Sequence, residues 1–96
     1  MASSEQGRRD LDDLLSDPYC RQLLVSLRRA DGPVPLAALA TDVAARVTGV
    51  PPEAVDASVR RRLQTWFHHG QLPALSERGV VAYDPDTGLV WLLDER

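Results

Sequence analysis

The chain has 96 residues and 44% apolar content, which suits one ordinary domain and excludes two domains with separate cores. Its eleven basic residues are all arginine, aspartate outnumbers glutamate ten to four, and the formal net charge is -3. A single cysteine, no run of eighteen apolar residues and a polar start exclude an internal disulfide, a spanning helix and a secretion signal, which predicts a cytoplasmic protein.

The first predicted elements are two helices. Residues 1–7 have the polar composition of a flexible start, and residues 8–15 place leucines on one side of a short helix. Asp17 is a good N-cap and Pro18 suits the first helical position, so a second helix begins there. Its predicted buried face has i, i+3, i+4, i+7 spacing and comprises Cys20, Leu23, Leu24 and Leu27. The Asp-Gly-Pro sequence at 31–33 ends this helix.

A third helix is predicted over residues 36–47, after a very short extended segment that contains two prolines. Its apolar face comprises Leu36, Leu39, Ala40, Val43 and Val47. Gly49 ends the helix, and the prolines at 51–52 force extended backbone before a turn at 53–55. Asp56 then supplies a cap for the next helix.

The longest predicted helix runs from residue 57 to residue 78. Its apolar arc of roughly 100° comprises Val59, Leu63, Trp66, Phe67 and Gly70. We expect Leu63, at the centre of that arc, to be buried. Gly70 and Pro73 interrupt the pattern, because proline removes a backbone hydrogen bond and kinks a helix. Beyond this kink, Leu75 is predicted to continue the buried face, which is rotated about the helix axis relative to the first part.

A β-hairpin is predicted at the end of the chain. Residues 80–83 and 89–93 are β-prone, and the turn between them contains Gly88, which suits a positive φ angle. Helix, helix, short strand, helix, long helix and hairpin is the order of elements in a winged helix. We therefore predict a mainly α fold with a small β hairpin: a flexible N-terminus and short helix over residues 1–15, then a winged helix-turn-helix domain over 16–96.

Several short segments resemble those of small bacterial and archaeal winged-helix regulators. The first two are Leu15-Ser16-Asp17-Pro18 and the passage from Leu72-Pro73 to Gly79-Val80-Val81. The chain is most similar to a family of small winged-helix domains of unassigned function in salt-loving archaea, which resemble ArsR-like transcriptional regulators. The matching segments are Asp31-Gly32-Pro33-Val34, Gly49-Val50-Pro51, Leu72-Pro73 and the segment from Gly79 to Asp86. This resemblance implies a winged-helix fold and, by analogy, transcriptional regulation.

The composition itself has two explanations. Many aspartates, no lysine and much alanine and valine suit a halophilic protein that stays dissolved at high salt. A GC-rich genome would favour arginine, alanine and valine equally well. Metal-sensing relatives of the resembled regulators carry cysteine clusters, whereas Cys20 stands alone here, which argues against a thiolate metal sensor.

The polar side of the longest helix carries the residues predicted to bind DNA. Three consecutive arginines would contact phosphates through their fork-shaped guanidinium groups, and the polar residues after them suit phosphates or base edges. The predicted set comprises Arg60, Arg61, Arg62, Gln64, Thr65, His68, His69 and Gln71 on the helix, with Asp86 and Thr87 on the wing. The alternative is a merely solvated face whose arginines balance carboxylates elsewhere in the chain.

Other conspicuous residues favour structural roles. The side chains of His68 and His69 are adjacent in sequence, so their rings should diverge on a helix, and no metal site is predicted. Cys20 lies on an apolar face and is expected to be a buried small hydrophobe. The aromatic residues Trp66, Phe67 and Trp91 are expected in the core or a dimer interface rather than as stacking platforms for bases.

Catalysis is not predicted, because no nucleophile stands beside a recognisable base and no glycine-rich loop could hold a phosphate. No cofactor, small-molecule effector or membrane contact is predicted either. We expect a DNA-binding transcriptional regulator, with the long helix in the major groove and the wing on the backbone or minor groove. The apolar side of residues 8–15 suggests a homodimer.

A protein-interaction or dimerisation module without DNA binding is the alternative. It is favoured by the net negative charge, because the neutralisation of phosphates drives affinity for DNA. Two considerations weaken this objection: a local arginine patch matters more than the total charge, and molar salt shortens the Debye length to about 3 Å.

Overall fold

Residues 11–93, the part of the chain that the computed structural model describes, fold into five α-helices and a three-stranded sheet. The helices are Leu11–Ser16 (α1), Pro18–Ala30 (α2), Leu36–Thr48 (α3), Ala57–Trp66 (α4) and Leu72–Glu77 (α5). The strands are Val34–Pro35 (β1), Val81–Asp84 (β2) and Leu89–Leu92 (β3). A 3₁₀ turn at Pro52–Ala54 precedes α4, and a π-helical turn at Phe67–Gln71 joins α4 to α5. The flexible start predicted for residues 1–7, and residues 8–10 of the predicted first helix, lie outside the described residues.

The helix boundaries follow from the capping residues that the sequence predicts. Oδ1 of Asp17 accepts a 2.9 Å hydrogen bond from the backbone N–H of Tyr19, and Pro18 occupies the first position of α2. Asp31 ends α2 in the left-handed conformation, at φ 60°. Asp56 occupies the N-cap position of α4, but its side chain makes no capping hydrogen bond.

The longest predicted helix is one helical run over residues 57–77, and its predicted interruption is the π turn. The N–H of Leu72 bonds to the carbonyl of Phe67, five residues earlier, and Pro73, next in the chain, has no N–H to donate. An i→i+5 turn contains an extra residue and therefore rotates the positions that follow it. This rotation buries both Leu72, which lies off the apolar arc of α4, and Leu75.

The sheet has the antiparallel strand order β1-β3-β2. Strands β2 and β3 form the predicted hairpin, and Gly88 in its turn has φ 76°. Val90 of β3 lies opposite Tyr83 of β2 on one side and Val34 of β1 on the other. The central strand therefore ties the hairpin to the segment between α2 and α3.

The core is built mainly from leucine, valine and alanine, as the low aromatic content requires. Leu63 is buried at 8% exposure and Phe67 is fully buried, which confirms the inward face of α4. Cys20 is also fully buried, as expected. Trp66 does not lie in the core, because its side chain is 39% exposed at the edge of the apolar arc, and its alternative place in a dimer interface stays a prediction.

Helix α1 directs Leu14 toward the core of its own chain. Leu14 is fully buried and belongs to the same core cluster as Leu23, Leu27 and Leu72. Part of the apolar surface that suggested a homodimer is therefore covered within the monomer. Dimerisation stays a prediction.

The fold class predicted from the sequence is confirmed. The chain is mainly α-helical with a small antiparallel sheet, in the order of a winged helix-turn-helix: α3 and α4 correspond to the helix-turn-helix, and the β2–β3 hairpin is the wing. None of the helices described between residues 11 and 93 has the length and apolar character needed to cross a membrane.

Candidate nucleic-acid interface

The orientation of α4 is fixed by apolar residues spaced four apart. Val59 is half-buried and packs on the core, while Leu63 and Phe67 lie inside it. Residues at this spacing share one face of a helix, so the opposite side of α4 must face solvent.

Most of the residues predicted to bind DNA lie on that outer side. Their exposure divides them into two groups. The exposed group is Arg61, Arg62, Thr65, His68 and His69, and the half-buried group is Arg60 and Gln64. A continuous polar surface, which we call the α4 face, therefore consists of these seven side chains. It comes from one helix and the start of the π turn that follows it.

No carboxylate between residues 11 and 93 neutralises the arginines of the α4 face. An ion pair lies elsewhere, on α3, between Arg46 Nε and Asp42 Oδ2 at 3.1 Å. The guanidinium groups of residues 60–62 make no hydrogen bond or ion pair with any residue between 11 and 93. They are therefore available to an external anion such as a phosphate, for which arginine offers two parallel N–H donors.

Thr65 uses its hydroxyl hydrogen inside the helix. Its Oγ1 donates a 3.1 Å hydrogen bond to the carbonyl of Arg61. The oxygen keeps free lone pairs, so Thr65 faces solvent as an acceptor. An acceptor at this position suits an amino group on a base edge better than it suits a phosphate.

Gln71 was wrongly predicted to contact DNA. Its side chain is 1% exposed, and Nε2 donates a 3.0 Å hydrogen bond to Oδ2 of Asp17. The π turn causes this, because its extra residue rotates position 71 from the polar side into the core. Asp17 thus caps α2 with one carboxylate oxygen and holds the end of the π turn with the other. Sequence patterns identified the cap but gave no sign of the second bond.

The adjacent histidines do not diverge as predicted. The ring centroids of His68 and His69 are 4.8 Å apart, with an edge-to-face angle of 81°. Both residues lie in the π turn, where each turn contains more residues and the angle between neighbouring side chains is smaller. Within the described part of the chain, no group of three or more His, Cys, Asp or Glu side chains is placed to hold a metal ion.

His68 joins the α4 face to the wing. Its Nδ1 lies 2.8 Å from the hydroxyl oxygen of Tyr83 on β2, and the two rings meet edge to face at 5.6 Å. The two residues are fifteen positions apart, and each one alone looks like an ordinary polar or aromatic surface residue. No sequence signal pointed to Tyr83, and only the packing of the hairpin beside the π turn reveals it.

The wing tip is acidic, and its polar side chains stabilise the turn. Oδ1 of Asp84 accepts the backbone N–H of Asp86 at 3.0 Å, and Oγ1 of Thr87 accepts that of Leu89 at 3.3 Å. Asp86 and Thr87, which were predicted to contact DNA, are both exposed. Two carboxylates here repel phosphates, so the tip is a poorer anion site than the α4 face.

An exposed indole borders the α4 face on the side of α2. The rings of Trp66 and Tyr19 meet edge to face at 5.6 Å and 79°. The same indole lies beside Gly70, with Cδ1 and Nε1 of Trp66 3.9 Å from where a Cβ would be, which is an ordinary contact distance. The surface beside the arginines is therefore aromatic, and it is held by α2.

A polar cluster holds α3 against α2. Burial raises the pKa of the Asp42 carboxyl, but hydrogen bonding from Ser26 and Arg46 and the charges of Arg46 and Arg29 outweigh it, so the pKa lies below its ordinary value. The buried Oγ of Ser26 has no hydrogen-bond partner of good geometry, whereas Nε of Arg46 lies 3.1 Å from Oδ2 of Asp42, so the lowered pKa rests mainly on Arg46. This cluster stabilises the helix that precedes the α4 face.

A shallow groove of about 340 Å³ opens between the end of α2 and strand β3. Its apolar lining comprises Leu27, Pro33, Trp91 and Leu92, and Arg28 and Asp31 add one charge of each sign. The groove is separate from the α4 face, with which it shares no residue.

A family model described as a domain of unknown function (DUF7344) matches residues 12–91 of the chain, so the protein belongs to this family. No curated protein and no solved structure matches it.

Proposed function

We propose that this member of the DUF7344 family is a DNA-binding transcriptional regulator that presents the α4 face to the major groove. The observation that carries the proposal is the group of guanidinium groups at 60–62 that have no ion-pair partner among residues 11–93, on the side of a helix opposite its buried residues. The resemblance to small winged-helix domains of unassigned function in salt-loving archaea, which in turn resemble ArsR-like regulators, supports the same function by analogy.

The α4 face divides into two kinds of contact. The arginines lie in the first half of α4, and they act as phosphate anchors that fix the position of the helix. Gln64, Thr65 and His68 follow along the same face and approach base edges. His69 extends the face, while Gln71 is withdrawn from it by burial.

The negative net charge does not prevent this mode of binding. Affinity for DNA depends on the phosphates that are neutralised locally, and the carboxylates of the wing tip lie on a separate element from the arginines. At molar salt the Debye length is about 3 Å, which confines the repulsion by Asp84 and Asp86 to groups in near contact. The proposal therefore includes binding at high ionic strength.

The first experiment selects genomic DNA fragments with the purified protein at high salt and then titrates the best site. Arg61→Ala should weaken binding to every sequence alike and reduce the slope of log affinity against log salt by about one unit, because one phosphate contact is lost. Arg28→Ala, on the exposed end of α2, makes the same change in net charge and should leave the slope unchanged. Equal behaviour of the two variants would show that the α4 face does not contact phosphate.

Gln64→Ala tests the base-reading part of the face. It should relax the preference at one base position by roughly 1–3 kcal/mol and leave the salt slope as it was. The measurement is a titration of the variant against the selected site and each single-base variant of it. A uniform loss of affinity across all sites would instead show that Gln64 contacts the DNA backbone.

A twofold dimer completes the proposal, since palindromic sites match dimeric regulators. The exposed Trp66 and Leu93 remain available for such an interface. Light scattering at high protein concentration and high salt should report twice the mass of the chain. The mass of one chain would exclude the dimer but not DNA binding by a monomer.

The second candidate function is a protein-interaction module without DNA binding. The acidic wing tip favours it, and the apolar groove beside Trp91 offers a surface for a partner. The DNA selection separates the two functions: recovery of no enriched sequence, together with no salt-dependent binding, would leave the interaction module.

A further inference from the structure

The hydrogen bond between His68 and Tyr83 is the one direct link described between the α4 face and the wing. Its length is 2.8 Å, and the edge-to-face packing of the two rings places the hydroxyl beside Nδ1. Tyr83 is well anchored, because its strand partner Val90 is fully buried and also pairs with Val34 of β1. The orientation of the His68 ring is therefore fixed by Tyr83, a residue of the wing.

The chemistry of the two groups sets the direction of this bond. A phenol is a good O–H donor, and an unprotonated imidazole nitrogen is a better acceptor than a phenol oxygen. In the neutral ring, Tyr83 therefore donates to Nδ1, and the ring hydrogen of His68 resides on Nε2. The partner of one ring nitrogen determines which nitrogen carries the proton.

The consequence is a hydrogen-bond donor at the surface. His68 is exposed, and Nε2 is the nitrogen that Tyr83 does not occupy. The edge of the His69 ring, with centroids 4.8 Å apart, restricts rotation of the His68 ring. Nε2–H can bond only to an acceptor, and acceptors in the major groove are purine N7, guanine O6 and thymine O4. Cytosine, which presents only its amino group there, offers it no acceptor.

We propose that Tyr83 is a positioning residue that fixes the tautomer of His68, so that Nε2–H of His68 selects a base carrying an acceptor in the major groove. The selection of a base rests on the proposed function, whereas the tautomer does not. The wing then contributes to specificity through the orientation of a helix residue, without touching DNA at that position.

The tautomer is tested on the free protein, without DNA. Nitrogen-15 NMR of the histidine rings at about pH 8, where an ordinary imidazole is neutral, distinguishes a bare nitrogen from one that carries hydrogen. We expect His68 to have a bare Nδ1 and a protonated Nε2, and Tyr83→Phe to remove this preference. Tyr19→Phe, a change at the other tyrosine, should leave the His68 signals unchanged. The opposite tautomer, or no response to Tyr83→Phe, would overturn the proposal.

The selection of a base is tested on the best DNA site and its single-base variants. The unmodified protein should lose roughly 5- to 150-fold in affinity at the one position where the acceptor is removed. His68→Ala and Tyr83→Phe should both flatten the response at that same position, with the salt slope retained. A uniform loss with a reduced salt slope would place His68 on phosphate and overturn base selection. Failure to bind any DNA would overturn the proposed function while the NMR result still stood.

Discussion

The two halves of the long helical run differ in what they do, although the chain passes from one to the other without a break. Residues 57–66 bury Leu63, whereas residues 67–77 bury Phe67, Gln71, Leu72 and Leu75. The first half presents five of the seven side chains of the α4 face, and the second half, which adds the two histidines, is mainly an anchor. A helix that must expose one face to a partner gains a fixed direction when its continuation is held in the core.

The junction between the halves makes the difference clear. Trp66 and Phe67 are neighbours, with ring centroids 6.0 Å apart, yet one is 39% exposed and the other is fully buried. The π turn begins at Phe67 and adds a residue to the turn, which brings further side chains inward. Such turns are frequent at functional sites, and here the turn also contains both histidines of the α4 face.

The largest effect on stability is expected from removing the buried aromatic ring at the junction. Phe67→Ala should lower the free energy of unfolding by about 3–5 kcal/mol, because it removes a fully buried ring and leaves a cavity. Trp66→Ala is the matched control and should cost less than Phe67→Ala, since 39% of its side chain is already in water. Urea denaturation of both variants measures the difference. Equal losses would mean that the two halves are anchored alike.

A smaller effect is expected from the bond that ties the anchor to α2. Asp17→Ser keeps an acceptor for the N-cap but removes the partner of Gln71, and Gln71→Leu removes the same bond from the other side at similar volume. The double-mutant cycle should give a coupling energy of about 1 kcal/mol, as for one hydrogen bond. Additive losses would show that this contact does not hold the π turn.

The smallest effect on stability is expected at Asp42, which stabilises α3, the helix that precedes residues 57–66. Its pKa is lowered in the folded protein, so its contribution to stability is present above the ordinary aspartate value of about 4 and is lost as the pH falls through the folded pKa. Asp42→Asn should cost less than about 1 kcal/mol at neutral pH, because the ion pair is near the surface. Thermal unfolding of both proteins from about pH 2 to 7 should show the difference shrink below pH 4. A difference that grows as the pH falls would contradict this sign.

Much of the fold could be predicted from the sequence because the signals are local. A cap, an apolar periodicity or a turn sequence involves residues a few positions apart, so the helices, the hairpin and the inward position of Leu63 were predicted correctly. The arginines of the α4 face followed from the same periodicity, since a buried face defines its opposite. The burial of Trp66 in the core was predicted wrongly because a helical wheel gives a residue at the edge of an apolar arc the same weight as one at its centre. Tertiary packing leaves this indole partly exposed.

The amino-acid sequence by itself determined where α2 begins, at the cap of Asp17, and where the hairpin turns, at Gly88, because neither depends on distant residues. Only the tertiary structure decided that Gln71 faces the core, since a helix wheel assumes a constant rotation per residue and the π turn changes it. The contact of His68 with Tyr83 was decided in the same way. Their distance depends on how the sheet packs beside the helical run, which no local pattern encodes.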